Sequence, residues 1–405
     1  MKDNIPFSNW KIINKYRRSR DFAFFGCGNI AEKTYRQIKS KNVKYIYDNA
    51  NSLHGTEFLG TKVSKPENNI KKEDQYIIIT STSFREISEQ LINYGLKPEI
   101  DFSISPVLND LKIIDDLESI NKRILFTSGA PSLDNDRYGG GIYEMSITND
   151  EFVYTKKYSG NVYGLIEKDS KYVAVDIEMG IITLDKQYQL IDSVELPKGA
   201  RGHGIQYNEI KKEFYICCSK RDSILFLNDD LTINHELFLS DKFSKYNEPS
   251  HHCNDCYYDN GYLYVSMFSI SGNWKNDIFD GGIVEIDIET KKITNILCNN
   301  LWMPHNITKI DGGITLLESL PGRLLANNLQ EIVKFSGFAR GLDNDGIYYY
   351  IGQSRNRNFS KNIGLSNNIS IDAGIIIYDS ITKVSRFLQL PARLSEIHTI
   401  KVINC

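Results

Sequence analysis

Six polar residues recur at matching places within apolar, β-branched stretches of this sequence: Tyr163, His203, Asn254, His305, Arg340 and His398. The chain has 7 histidines, and three of them occupy every second place in this series. Three neutral imidazoles converging on one point can hold a divalent metal, zinc foremost, and leave a position open for water or substrate. On that reading His203, His305 and His398 are the metal ligands. The same residues can instead line a water-filled channel, each histidine bonded to a neighbour, or take a carbohydrate or anionic ligand directly. Arg340 offers a planar fork to a carboxylate or phosphate. Tyr163 can donate a proton or stabilise an oxyanion, and Asn254 completes the catalytic candidates. Glu318, after the apolar residues 314–317, is a candidate general base or one half of a structural ion pair. Asp176, Ser219, Ser269, Gln353 and Arg355 follow comparable runs and are secondary candidates.

The elements that must position these groups are strands. From Arg123 onward, β-branched and aromatic runs alternate with Gly, Asn and Asp turns in a loose repeat whose unit is one four-stranded sheet. Its opening lines are Val162-Tyr163-Gly164-Leu165, Gly202-His203-Gly204-Ile205, Cys253-Asn254-Asp255-Cys256, Pro304-His305-Asn306-Ile307, Ala339-Arg340-Gly341-Leu342 and Ile397-His398-Thr399-Ile400. The last has no partner strands after it, and Arg123-Ile124-Leu125-Phe126, Gly141-Ile142-Tyr143-Glu144 and Phe152-Val153-Tyr154 supply them. This predicts an all-β six-bladed β-propeller over 123–405, closed by the C-terminal strand so that no sheet edge is left open. The first strand of each blade lines the central channel, which brings the six polar residues to the axis.

Ahead of the repeat, Phe22-Ala23-Phe24-Phe25 leads into Gly26-Cys27-Gly28-Asn29-Ile30-Ala31 and a helix expected over 32–40. A glycine turn at a helix start suits a phosphate, and Asp48, ending the next strand, suits ribose hydroxyls. Further expectations are a strand over 75–80, a helix over 84–94 capped by Ser81-Thr82-Ser83, and a linking helix within 107–122. The expected organisation is a Rossmann-like α/β domain over 1–110, a linker helix over 111–122 and the propeller over 123–405. Gly26, Gly28, Asn29 and Asp48 are the candidate residues for a sugar nucleotide or other nucleotide. The competing reading is a tight turn with a solvated Asp48.

A formal net charge of -3 gives no basic footprint for nucleic acid. The N-terminal residues Met1-Lys2-Asp3-Asn4-Ile5-Pro6 precede no long apolar run, so neither a leader nor a membrane span is expected. The 7 cysteines are scattered rather than framework-like, which fits a reducing cytoplasm. Cys253 and Cys256 have metal-knuckle spacing without a second pair, and a strand role is expected for them.

Three resemblances bear on function. Through Gly26 to the Asp48-Asn49 and Asp101-Phe102 pairs, the first quarter resembles the short Rossmann-like domains of bacterial sugar-modifying enzymes. This implies a sugar nucleotide rather than NAD. His203, His305 and His398, with Arg340, resemble the metal site of peptidyl-hydroxyglycine amidating lyase, another six-bladed propeller. Tyr163 and Asn254 depart from its pattern, which leaves a shared scaffold more than a shared reaction. The propeller as a whole resembles an uncharacterised bacterial family through Asp280-Gly281-Gly282-Ile283, Leu301-Trp302-Met303-Pro304-His305-Asn306 and Ile351-Gly352-Gln353-Ser354-Arg355. The expected function is a metal-supported lyase or hydrolase acting on a carbohydrate or sugar-derived metabolite in surface-glycan synthesis. The alternative is a non-catalytic propeller that binds a glycan or protein, with a nucleotide-sensing N-terminal domain.

Overall fold

The computed structural model describes residues 10–16, 19–38, 43–66, 70, 74–129, 139–357, 361 and 368–403. The chain divides into two units, Met1–Glu118 and Ser119–Cys405.

The first unit runs α1 (Trp10–Tyr16), β1 (Asp21–Phe25), α2 (Asn29–Ile38), β2 (Val43–Tyr47), β3 (Glu57–Phe58), β4 (Thr61–Ser64), β5 (Gln75–Ile79), α3 (Phe84–Asn93), β6 (Phe102–Ile104) and α4 (Asn109–Glu118). Its sheet has the order β3-β4-β2-β1-β5-β6. The central strands β1 and β5 are apolar on both faces because both faces are covered. Phe84, Ile87 and Leu91 of α3 pack on one side, and Ile13, Ala31 and Ile38 on the other.

The expectation of a Rossmann-like α/β domain is corrected here. The sheet is mixed, ending in the antiparallel β3–β4 ribbon. Among the described residues only α2 and α3 connect parallel strands, and the step from β2 to β4 passes through a short 3₁₀ turn, Asn51–Leu53, instead of a helix. Helices are few, and most of the chain is all-β. The polar, glycine-bearing stretch after Tyr47 carries no apolar stripe with which a crossover helix could cover the sheet. Helix α2 also begins earlier than expected, and residues 39–40 of that expectation lie outside the described residues, as do Met1 to Pro6 and Cys405. Ser83 makes no side-chain cap to α3; instead its own N–H donates to Ser81 Oγ.

The second unit is a six-bladed β-propeller, with six four-stranded sheets. The innermost strands are Val162–Lys168, Gly202–Asn208, Cys253–Asp259, Pro304–Ile310, Phe338–Asn344 and Ile400–Ile403. In the sixth blade Ile400–Ile403 pairs antiparallel with Asn121–Ser128, which continues into Gly141–Thr148 and Glu151–Ser159. Both ends of the unit therefore share one sheet. Apolar clusters join successive blades: Tyr215 and Phe226 pack with Leu263 and Val265, and Val173 and Ile181 with Phe214 and Leu225. Inter-blade burial of this kind holds the ring closed and fixes where each inner strand begins.

Candidate functional site at the axial mouth of the propeller

Five inner strands lose regular register at their first residues, between Val162 and Leu165, Gly202 and Ile205, Cys253 and Asp255, His305 and Thr308, and Ala339 and Leu342. A bulge bends the strand and re-aims a side chain. The bulged segments carry Tyr163, His203, Asn254 and Arg340, and the one after His305 carries Asn306 in the left-handed conformation at φ 50°. Tyr163, His203, Asn254, Asp255, His305 and His398 line one axial cavity of about 20 Å³, room for a water or a single small ion.

The three histidines are held differently. His305 Nδ1 lies 2.7 Å from Ser319 Oγ and 3.0 Å from Met303 O. Ser319 spends its own proton on Ala339 O, so His305 Nδ1 is the donor and its Nε2 is left bare. The His305 ring sits between Phe268 and Phe338. Among the described residues, His203 Nε2 is buried without a hydrogen-bond partner, as is Asn254 Oδ1, whose Nδ2 donates to Pro304 O. His398 is tied to Glu396 by a 3.0 Å Nε2–Oε2 bond and stacks on Tyr163 at 3.8 Å between ring centroids.

Burial lowers His203 and His305 well below the ordinary imidazole range, and lowers His398 to about 4 despite the opposing bond to Glu396. All three are neutral at pH 7. Burial would raise the Glu396 carboxyl, but the His398 bond and the Arg340 and Arg357 charges outweigh it and hold the group ionised. His398 therefore places its proton on Nε2, toward Glu396, and keeps a free lone pair on Nδ1.

Cations crowd the same place. Arg340 pairs with Glu396 at 3.7 Å, lies over Phe338, and has a side chain only 13% exposed. Arg357 reaches the other Glu396 oxygen at 2.5 Å. Arg201 donates from Nη2 to the Tyr163 hydroxyl. A guanidinium cannot accept, so the Tyr163 oxygen is the acceptor and its own proton stays available to a ligand.

This arrangement does not fit the metal expected at His203, His305 and His398. Among the described residues no group of three His, Cys, Asp or Glu is placed to hold a metal ion. The His203 and His398 rings lie 6.5 Å apart, one nitrogen of His398 is committed to Glu396, and three guanidinium groups oppose a further cation.

Glu318, the expected base, is not among the cavity-lining residues. It is fully buried, accepts the Trp302 N–H at 2.8 Å, and pairs with Arg323 directly across the hairpin. Asp176 secures a loop through Asn161, Glu178 and Met179 N–H groups. Trp274 packs on His252 and Trp302 on Phe279. The cysteines at 27, 217, 218, 253, 256 and 298 are free thiols.

In the N-terminal unit, Gly26 adopts φ 110° against Thr80, which a side chain would disfavour, while Gly28 has open space around it and Asn29 opens α2. Asp48 turns back onto this loop: Oδ2 accepts from Cys27 N–H at 3.3 Å, and Oδ1 from Ala50 N–H. The carboxylate thus occupies a turn N–H that a phosphate would use and puts negative charge beside it.

Four residues of the axial mouth escaped the sequence reading: Arg201, Glu396, Arg357 and Asp255. Arg201 and Glu396 each stand two positions before an axial histidine, the spacing that returns to the same strand face. That period was the available signal.

A closed ring of six blades with a polar, cation-rich axial mouth defines the class as a six-bladed β-propeller. Residues 248–405 match the family described as "Domain of unknown function (DUF4915)". Residues 19–99 match the family described as "C2185-like, N-terminal". No curated protein matches the sequence. Among solved structures, a chain of the nidogen/laminin complex superposes with TM-score 0.50 at 13% identity, over 69% of this chain and 98% of its own. A protein of unknown function from Bacteroides caccae gives 0.49 at 14%, over 70% and 99%. Regucalcin, a calcium-binding protein from Agrobacterium tumefaciens, gives 0.39 at 14%, over 54% and 70%. At these identities only fold is shared. The resemblances to the amidating lyase and to Rossmann-like domains find no support in these comparisons. No helix among the described residues is long and apolar enough to cross a membrane.

Proposed function

We propose that the axial mouth acts on a small metabolite by acid–base chemistry, as a lyase or hydrolase, with a sugar-derived compound as the substrate class. The observation that carries this reading is the Glu396–His398–Tyr163 arrangement. An ionised buried carboxylate orients a neutral imidazole, as in a catalytic triad, and leaves Nδ1 as the proton acceptor. The Tyr163 hydroxyl, already accepting from Arg201, has its own proton to give. In this reading His398 Nδ1 takes a proton from a carbon acid or from an attacking water. Tyr163 then protonates the departing oxygen; an elimination consumes nothing further, a hydrolysis consumes the attacking water, and return of the His398 proton to the Tyr163 phenolate beside it resets the pair. The cavity admits only a water-sized guest, so the substrate rests against the mouth with its reacting atoms at the His398–Tyr163 end.

The test is a conversion screen. The protein is incubated with a panel of sugar acids, sugar phosphates and their glycosides, and products are followed by mass spectrometry beside His398→Gln and Tyr163→Phe, each checked for folding. Conversion by the parent that falls by about 10²-fold or more in both variants is the expected result. Conversion unchanged in both variants overturns the reading and leaves a binding propeller.

A further inference from the structure

The geometry points to an oxyanion, a carboxylate or phosphate, as the ligand group seated between Arg201 and Arg340 at the axial mouth. This inference rests on the acid–base reading for its location and adds the chemical class of the ligand.

Both guanidinium groups have a buried Nε with no hydrogen-bond partner among the described residues. A buried N–H left unmade is costly, the more so on a charged group, and native structures rarely leave one without a purpose. Arg201 makes no ion pair among the described residues; its side-chain polar contact is with the Tyr163 hydroxyl, and its guanidinium lies over the Tyr163 ring. Among the described residues, Arg340 pairs with the carboxylate of Glu396, which it shares with Arg357.

Three guanidinium groups therefore face Glu396, the buried imidazoles beside them add no charge, and Asp255 is only partly ionised at neutral pH. His203, His252, His305 and His398 are all lowered by burial, and the buried Asp255 is raised by it to about 7. Arg340 itself is held below its ordinary value, first by burial and, against the pull of Glu396, by Arg357 and Arg201. A bound oxyanion relieves that repulsion and meets the two idle Nε–H donors. Guanidinium forks match planar and tetrahedral oxyanions alike. The cluster sits where Tyr163 and His398 converge, so an anion fixed there presents its neighbouring carbon and oxygen atoms to both.

The experiment is isothermal titration with two probes, glucuronate for the carboxylate and inorganic phosphate for the phosphate, at low and moderate salt. Wild-type protein is compared with Arg201→Gln, Arg340→Lys and His398→Gln. Arg201→Gln breaks no ion pair, and Arg340→Lys keeps the charge while losing the fork, so both are expected to fold. The expected result is saturable binding of at least one probe, weakened by salt and by about ten-fold or more in each arginine variant, but retained in His398→Gln. Which probe binds decides between carboxylate and phosphate. No saturable binding of either, or binding indifferent to both arginine variants, overturns the inference. His398-dependent conversion in the screen above that is indifferent to both arginine variants would leave the acid–base reading standing while this inference fell. Arginine-dependent binding without any conversion would do the reverse.

Discussion

Tyr163 and His398 stack at 3.8 Å between ring centroids, although one belongs to the first complete blade and the other stands just before the strand that closes the last. His398 is held there because its N–H donates to Thr127 O on the neighbouring strand, and Thr127 and Thr399 hydroxyls both donate to Tyr163 O. Closure of the ring and assembly of the site are the same event.

Deleting residues after Glu396 removes His398 and the strand Ile400–Ile403 together, and uncovers the edge of Asn121–Ser128. The expected outcome is loss of cooperative thermal unfolding and self-association through the freed edge, read by calorimetry and light scattering. A truncated protein that melts as one monomeric transition would show the closing strand to be dispensable.

Gly204 marks where the inner strands of the second and third blades touch. A Cβ there would stand 2.3 Å from Asp255 Oδ1 and 2.8 Å from Asp255 Cα. Because the clash is partly with backbone, Gly204→Ala is expected to cost about 1–3 kcal/mol in denaturant unfolding. Oxyanion binding should weaken as well, since His203 is the adjacent residue.

Asp255 gives the fold a pH dependence whose sign is fixed. Burial raises its carboxyl to about 7 from an ordinary 3.8, with the Asn306 and Cys256 N–H groups and the Lys401 and Arg340 charges offsetting only part. The folded state then holds a proton that the unfolded state has released between those values, so the contribution is fully present below pH 3.8 and is lost as pH rises toward 7. Asp255→Asn keeps an acceptor for the Asn306 N–H without the titration. Its melting temperature relative to wild type should climb over this window and level off above it. A constant difference from acid to neutral pH would contradict the assignment.

Glu318 is expected to matter for stability and not for ligand. Glu318→Gln retains an oxygen for the Trp302 N–H but forfeits the pair with Arg323. Unfolding measurements should show a loss of about 1–3 kcal/mol, with probe binding at the axial mouth unchanged. A binding defect in the folded variant would return Glu318 to the site.

The propeller was legible because each inner strand announces itself twice, by an apolar run and by a polar residue followed in three blades by glycine: Tyr163-Gly164, His203-Gly204 and Arg340-Gly341. Strand bulges were not legible, because a register slip of one residue leaves no periodic trace. Arg201 and Glu396 were readable from their two-residue spacing to His203 and His398. Arg357, beyond the strand end at Ser354, carried no such pattern. Glu318 was misplaced because its partner is defined by hairpin register, Glu318 opposite Arg323, and not by proximity to the axis. In the N-terminal unit the strand, turn and helix around Gly26 were visible. The bond from Cys27 N–H to Asp48 joins two loops and depends on how each of them turns.

The chemistry of the axial mouth depends on His398 being a neutral imidazole whose proton faces Glu396 and whose Nδ1 is free. Nitrogen-detected NMR of histidine-labelled protein, titrated across pH, measures this directly. His398 is expected to be an Nε2–H tautomer at pH 7 and to take up a second proton only as the pH falls to about 4. Protonation of His398 near 6.5, an Nδ1–H tautomer, or nitrogen shifts diagnostic of a coordinated metal would contradict it.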